Sequence, residues 1–220
     1  MKKKSKKTKQ SKLYILVIFM GILVMFYPII AKLINQISQT DAITKYTEQI
    51  SQMDEEDIKE QKEQYEKYNQ EIIEDKISSI NLLQNEEPIG YIKIDKINVY
   101  LPIYEGTDRK TLQKGIGHLE KTTIPTKNLS YHSVFVGHTG LTSKKLFDDL
   151  DKLEKGDNFI VTILDESFKY KVYDKKVVKP SQTSSLKVQS NKKLVTLVTC
   201  TPIYVNTHRL LVMGEIVQKN

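Results

Sequence analysis

The sequence is short of several things, and each shortage narrows its chemistry. Its 220 residues include one cysteine, Cys200, and four histidines. A lone thiol forms no intramolecular disulfide, so it is either a small buried apolar group or a reactive one. One Cys and scattered His lack the pairs of a structural zinc site, so no metal is expected. No GxGxxG, P-loop or GxSxG pattern occurs, and no cofactor is expected. Acid is absent from residues 1–12, charge is absent from Leu13–Ala31, and glycine and proline are absent from Lys45–Ile80.

The first gap disposes of a nucleic-acid reading. A net charge of +7 would suit such a partner. However, residues 1–12 hold seven Lys, and without them the chain has 34 − 7 = 27 basic residues against 27 acidic ones. All the excess charge lies in the tail. The uncharged run Leu13–Ala31 has 19 residues. As a helix it would span roughly 28 Å, about one hydrocarbon core. It is longer than the apolar region of a cleaved signal peptide, and Ala31-Lys32-Leu33 makes a poor cleavage site. An uncleaved signal anchor is expected, with the lysine-rich N-terminus in the cytoplasm and the rest outside.

The stretch without glycine or proline is rich in Glu, Lys and Gln, which are good helix formers. Ile43, Tyr46, Ile50 and Met53 follow helical spacing, and Tyr65, Tyr68 and Ile72 resume it. This predicts one or two amphipathic helices. They are expected to act as a stalk, or to fold back and cover part of the domain that follows.

Composition changes at Glu86-Glu87-Pro88. Beyond it, short β-like runs are predicted at Gly90–Ile94, Val99–Tyr104, Ser133–Gly137, Asn158–Leu164, Phe168–Val178, Leu194–Thr199 and Leu210–Val217. Asp165-Glu166-Ser167 reads as a hairpin turn. Short helices are expected over Thr107–Lys114 and Leu146–Leu153. The fold class is therefore mainly β, a closed barrel or a sandwich. The polar connection Ser181–Asn191 reads either as a binding loop or as slack on the surface.

The segment Leu194–Gly214 concentrates the possible chemistry. A strand leads into Cys200, the loop Thr201–His208 contains Pro202, and a second strand starts near Arg209. If the strands pair antiparallel, Cys200 and Arg209 become neighbours at the mouth of a hairpin. A guanidinium beside a thiol favours thiolate and can hold an oxyanion. A thiol nucleophile also needs a proton carrier. His138, flanked by Gly137 and Gly140, and His208, beside Arg209, lead the candidates, ahead of His118 and His132.

Three segments together resemble the sortases, membrane-anchored cysteine transpeptidases of Gram-positive bacteria. They are TLVTC ending at Cys200, the downstream Arg209, and the Gly137-His138 pair. Further segments are similar to class C, the pilin-polymerising sortases: CTP at Cys200–Pro202, NTHRLLV at Asn206–Val212, GIGHLE at Gly115–Glu120, and GHTGL through KLFDDLDKL. The resemblance covers roughly residues 88–217 and implies a closed sortase-type β-barrel. It implies that Cys200 attacks the Thr–Gly bond of an LPXTG-like signal, that His138 moves protons, and that Arg209 holds the oxyanion or orients the signal. It gives Thr199 a supporting role at the oxyanion, and places Thr201, Pro202, Asn206 and His208 among the supporting or substrate-contacting residues. His118 and His132 become structural.

The implied partners are pilins or surface proteins bearing the signal, together with an amine acceptor. That acceptor is a pilin Lys or, in the alternative housekeeping role, a wall precursor. A non-catalytic anchored binding module is the competing class. The expected organisation is a tail at 1–12, an anchor at 13–34, a helical stalk or cover at 35–87 and a catalytic barrel at 88–220. The class C pattern is not met everywhere. Ile203 stands where Tyr is usual and Met213 where Arg is, and Ile80–Gly90 has no Asp-Pro-aromatic lid tripeptide. No second span follows before Asn220, which is also the pattern of a housekeeping enzyme.

Overall fold

The computed structural model describes residues 3–76, 87–182, 186–189 and 191–217. Two helices open it, α1 (Lys3–Gln52) and α2 (Glu55–Ile73). Asp54 caps α2 by accepting from Asp57 N, and three acidic residues occupy its first turn, where the helix dipole favours them. One short helix follows, α3 (Arg109–Lys114), capped by Asp108.

Eight strands form a closed barrel. They are β1 (Gly90–Ile94), β2 (Val99–Glu105), β3 (Ile116–His118), β4 (Tyr131–Val136), β5 (Asn158–Ile163), β6 (Glu166–Val178), β7 (Lys193–Thr201) and β8 (His208–Ile216). The order around the barrel is β1-β2-β3-β4-β7-β8-β6-β5, and β5 returns to β1. Closure leaves no unpaired sheet edge. Most pairs are antiparallel, but β2–β3 and β4–β7 run parallel.

The period-two pattern explains the packing. In β1, Ile92 and Ile94 are buried inside while Tyr91 and Lys93 face outward. In β6, Phe168, Tyr170 and Val172 alternate inward. Strands β4 and β7 are buried on both faces. Val195 and Leu197 belong to the central core, whereas Val134, Val198, Leu211 and Met213 form a second cluster outside it. Leu119, Val136, Tyr173, Val178 and Leu186 pack around that second cluster.

Three expectations change. β3 is not among the strands expected from the sequence, because its three residues are too few to display a period. The expected helix Leu146–Leu153 is reduced to one 3-10 turn, Leu150–Lys152. The β5–β6 turn is Leu164-Asp165, since Ile163 pairs with Glu166. A hydroxyl pair at 2.8 Å between Thr162 and Ser167 holds that register and keeps Ser167 in the strand.

The helices fold back onto the barrel. The Tyr46 hydroxyl donates to Ile89 O and accepts from Leu164 N, both at 2.8 Å. On α2, Asn69 makes two 2.7 Å bonds with the backbone of Ile124, one donated and one accepted. Lys62 pairs with Asp165 and Glu166.

Candidate active site

Cys200 lies directly opposite Arg209 in the β7–β8 ladder, and Thr201 lies opposite His208. The connecting turn is therefore Pro202–Thr207, two residues shorter than the loop read from the sequence. Its backbone is folded tightly, with Val205 N and Asn206 N both donating to Pro202 O. Tyr204 and Asn206 adopt positive φ within it. Arg209 Nη1 donates to Asn206 O at 3.1 Å and His208 O at 3.0 Å, so the guanidinium braces the turn. His208 Nδ1 meets the Thr207 hydroxyl at 3.0 Å.

Alternation sets which face carries the chemistry. Thr199 shares its parity with Val195 and Leu197 and is buried inward. Cys200 shares parity with Val198 and faces outward, and Arg209 shares it with Leu211 and Met213. His138 lies two residues beyond Val136 of the adjacent parallel strand β4. The ladder continues to this point, because Gly137 N donates to Val198 O at 3.0 Å. Cys200, His138 and Arg209 thus gather at one end of the outer face of β4–β7–β8, beside the second apolar cluster. All three are half-buried. Burial pulls the His138 pKa below the ordinary 6.5 of an imidazole and favours its neutral form.

The His138 backbone is pinned on both sides. The Thr199 hydroxyl donates to Gly137 O at 2.7 Å, and Phe147 N donates to His138 O at 3.0 Å. The Thr199 hydroxyl proton is therefore committed to the His138 turn rather than turned towards an oxyanion. Gly137 must be glycine, since a Cβ there would lie 2.6 Å from the Phe147 ring. Beyond it, Asp148 accepts from Gly140 N at 2.8 Å. Phe147 and Asp148 were not singled out from the sequence. They lie in the KLFDDLDKL segment, but nothing in their spacing reveals that they hold the loop after His138.

The other two histidines are fully buried and occupied. His118 contacts Glu105 at 2.6 Å, Thr122 Oγ1 at 3.0 Å and Thr123 O at 3.1 Å. His132 contacts Lys187 O at 2.9 Å and Thr196 Oγ1 at 2.7 Å. Lys187 belongs to the Ser181–Asn191 connection, which also lays Leu186 against the second cluster. Its residues Leu186 and Lys187 thus lie against the second cluster and beside His132, respectively. Residues 183–185 and 190 of the connection lie outside the described residues, as does most of the lid region, residues 80–86.

Asn35 of α1 reaches Ser143 O in the loop after His138, whereas Ile89, Leu164 and Glu166, which take contacts from α1 and α2, are at the barrel end opposite Cys200. A cleft of about 270 Å³ between α2 and Leu164 is at that far end, and it is lined by neither Cys nor His.

Residues 92–217 match the pattern of the sortase domain. Among solved structures, sortase C of Clostridium perfringens with its C-terminal cell wall sorting motif is 39% identical. It has a TM-score of 0.77 and covers 82% of this chain and 100% of that one. Sortase C1 of Streptococcus agalactiae is 40% identical, with a TM-score of 0.75 and coverage of 82% and 100%. Sortase D of Bacillus subtilis (strain 168) is 35% identical over 113 residues, which is 51% of this chain and 54% of the relative. The chain spans about half the length of the curated relatives it matches.

Proposed function

The chain belongs to the sortase family, and on that premise we propose that it is a surface transpeptidase joining pilin subunits through isopeptide bonds. The observation that carries this reading is the register of Cys200 with Arg209 on the face where His138 ends the neighbouring strand. A nucleophile, a proton carrier and a fixed cation converge there.

The steps balance without a cofactor. His138, neutral at rest, takes the proton of the Cys200 thiol, and the thiolate attacks the carbonyl carbon of the Thr–Gly bond in an LPXTG-like signal. Arg209 stabilises the resulting oxyanion. Protonated His138 gives its proton to the departing glycine amine, and a thioester to Cys200 remains. A lysine amine of the next subunit then enters and gives a proton back to His138. The amine attacks the thioester, and the thiolate leaves. One peptide bond is exchanged for one isopeptide bond, and no water is consumed.

Thr199 acts as a positioning residue that holds the His138 turn. Thr201, Pro202, Asn206 and His208 form the rim over which the signal passes. The pilin reading is supported by the similarity to class C structures along most of the chain. Leu13–Ala31 is uncleaved and holds the barrel outside the cell. It lies in α1, the one helix among the described residues long and apolar enough to cross a membrane.

The test begins with intact mass after adding a sorting-signal peptide. An acyl adduct on Cys200 is expected, and none on Cys200→Ala. An unmodified wild-type enzyme would point to the binding-module reading. Pilin and a wall-type amine are then offered separately. Preferential transfer to pilin Lys is expected, and equal use of both would defeat the pilin assignment.

A further inference from the structure

The contacts of α1 fix which end of the barrel approaches the membrane. Asn35 Nδ2 donates to Ser143 O at 3.0 Å, in the loop that follows His138. Gln39 reaches Lys114 O at the end of α3. Tyr46 reaches Ile89 and Leu164 at the opposite end. The helix is unbroken from the apolar run through all three contacts. Asn35 is four residues past Ala31, or about 6 Å along the axis, whereas Tyr46 is 15 residues past it, or about 22 Å. Roughly 5–7 Å of polar headgroup lies outside each side of the hydrocarbon core. The His138 loop therefore falls at headgroup depth, while the far end stands well clear.

Two surfaces agree with this placement. On the turns of α1 whose inner side meets the barrel, Leu33, Ile34 and Ile37 point outward and are 56–68% exposed. At the same rim, the β7–β8 turn exposes Ile203, Tyr204 and Val205 at 41%, 78% and 64%. This tip touches the His138 loop, since a Cβ on Gly140 would meet both Ile203 and Tyr204 at 3.1 Å. Lys144 and Lys145 flank the same loop, Lys145 paired with Asp149 and Lys144 donating to Gln113 O. An exposed apolar tip suits a headgroup layer, where such tips enter the acyl boundary.

We propose that the catalytic rim of the barrel, formed by the loop after His138 and the turn Pro202–Thr207, rests on the outer lipid leaflet. The site then opens along the membrane surface, towards substrates that are themselves held in the bilayer. The proposal rests on the uncleaved-anchor reading of Leu13–Ala31.

The test is depth-dependent quenching of the full chain in phosphatidylglycerol-containing vesicles. In a Cys200→Ala background, single cysteines are introduced by Thr142→Cys and Val205→Cys at the rim. Glu60→Cys on α2 marks the far end, and Gly21→Cys marks the middle of the span. Each carries an environment-sensitive fluorophore. Nitroxide on lipid headgroups should quench both rim labels several-fold more than the Glu60 label. Nitroxide deep in the acyl chains should quench the Gly21 label. Equal quenching at the rim and at residue 60, with Gly21 in the bilayer, overturns the seating alone. An unquenched Gly21 label overturns the anchor reading and the seating with it. Two rim sites guard against one variant that misfolds.

Discussion

Thr199→Val replaces a hydroxyl with a methyl of nearly the same size, and so isolates one hydrogen bond. The Thr199 hydroxyl is buried and donates to Gly137 O at 2.7 Å. The valine side chain would sit beside Val195 and Leu197, so packing is retained. What is lost is the donor to a buried carbonyl, which costs about 1–3 kcal/mol. Two other bonds hold the same turn, Gly137 N to Val198 O and Phe147 N to His138 O. The loop should therefore loosen without leaving the barrel. A displacement of about 1 Å at a catalytic group can slow a reaction up to about 100-fold. With two of the three bonds intact, a fall of about tenfold in the rate of thioester formation is expected for Thr199→Val. Thr199→Ser keeps the donor and should stay within about twofold of the wild type. Stability is read by urea unfolding, and the rate by rapid-quench mass measurement of the adduct. The reasoning fails if Thr199→Val matches the wild type in both. It also fails if Thr199→Ser is as slow as Thr199→Val, because the methyl group rather than the hydroxyl would then matter.

Further outcomes follow from other contacts. Tyr46→Phe leaves Leu164 N and Ile89 O without the hydroxyl that serves both, and should cost roughly 2–4 kcal/mol in urea unfolding. A change below about 0.5 kcal/mol would mean that α1 does not fold with the barrel. Burial holds the His132 pKa below 6.5, although its bond to Lys187 O works the other way. The unfolded chain then binds more protons, so stability is full above about 6.5 and declines as pH falls through that value towards the lower folded pKa. His138 adds an effect of the same sign. The lysine-paired carboxylates Asp149 and Asp174 are held below their usual range and titrate at lower pH, outside this window. His132→Gln should flatten the decline in urea midpoint between pH 7 and about 5.5. An unchanged slope would show that His132 is not its source.

The sequence by itself determined the strand set wherever a strand was long enough to display a period. β1 and β6 were legible because alternating burial leaves alternating residues, and β2 and β5 because they are apolar runs of strand length. The pairing of Cys200 with Arg209 was legible because a short turn between two apolar runs leaves antiparallel pairing as the direct solution. The uncharged run before Lys32 needed only its length. Tertiary structure decided the rest. β3 is defined by its neighbours, and its three residues carry no pattern of their own. The choice of His138 over His208, His118 and His132 was left open by composition and rested on a resemblance. In the structure, His118 and His132 are enclosed by partners, while His138 shares a half-buried outer face with Cys200. The commitment of the Thr199 hydroxyl to Gly137 joins residues 62 positions apart, and no local pattern encodes it. The same holds for the helices. Their amphipathic spacing shows that one face is to be buried, but not against what. Only the contacts of Asn35, Tyr46 and Asn69 show that the buried face meets the barrel, with α1 running from the loop after His138 to the far end. Periodicity records that a residue is covered, and long-range packing decides which residue covers it.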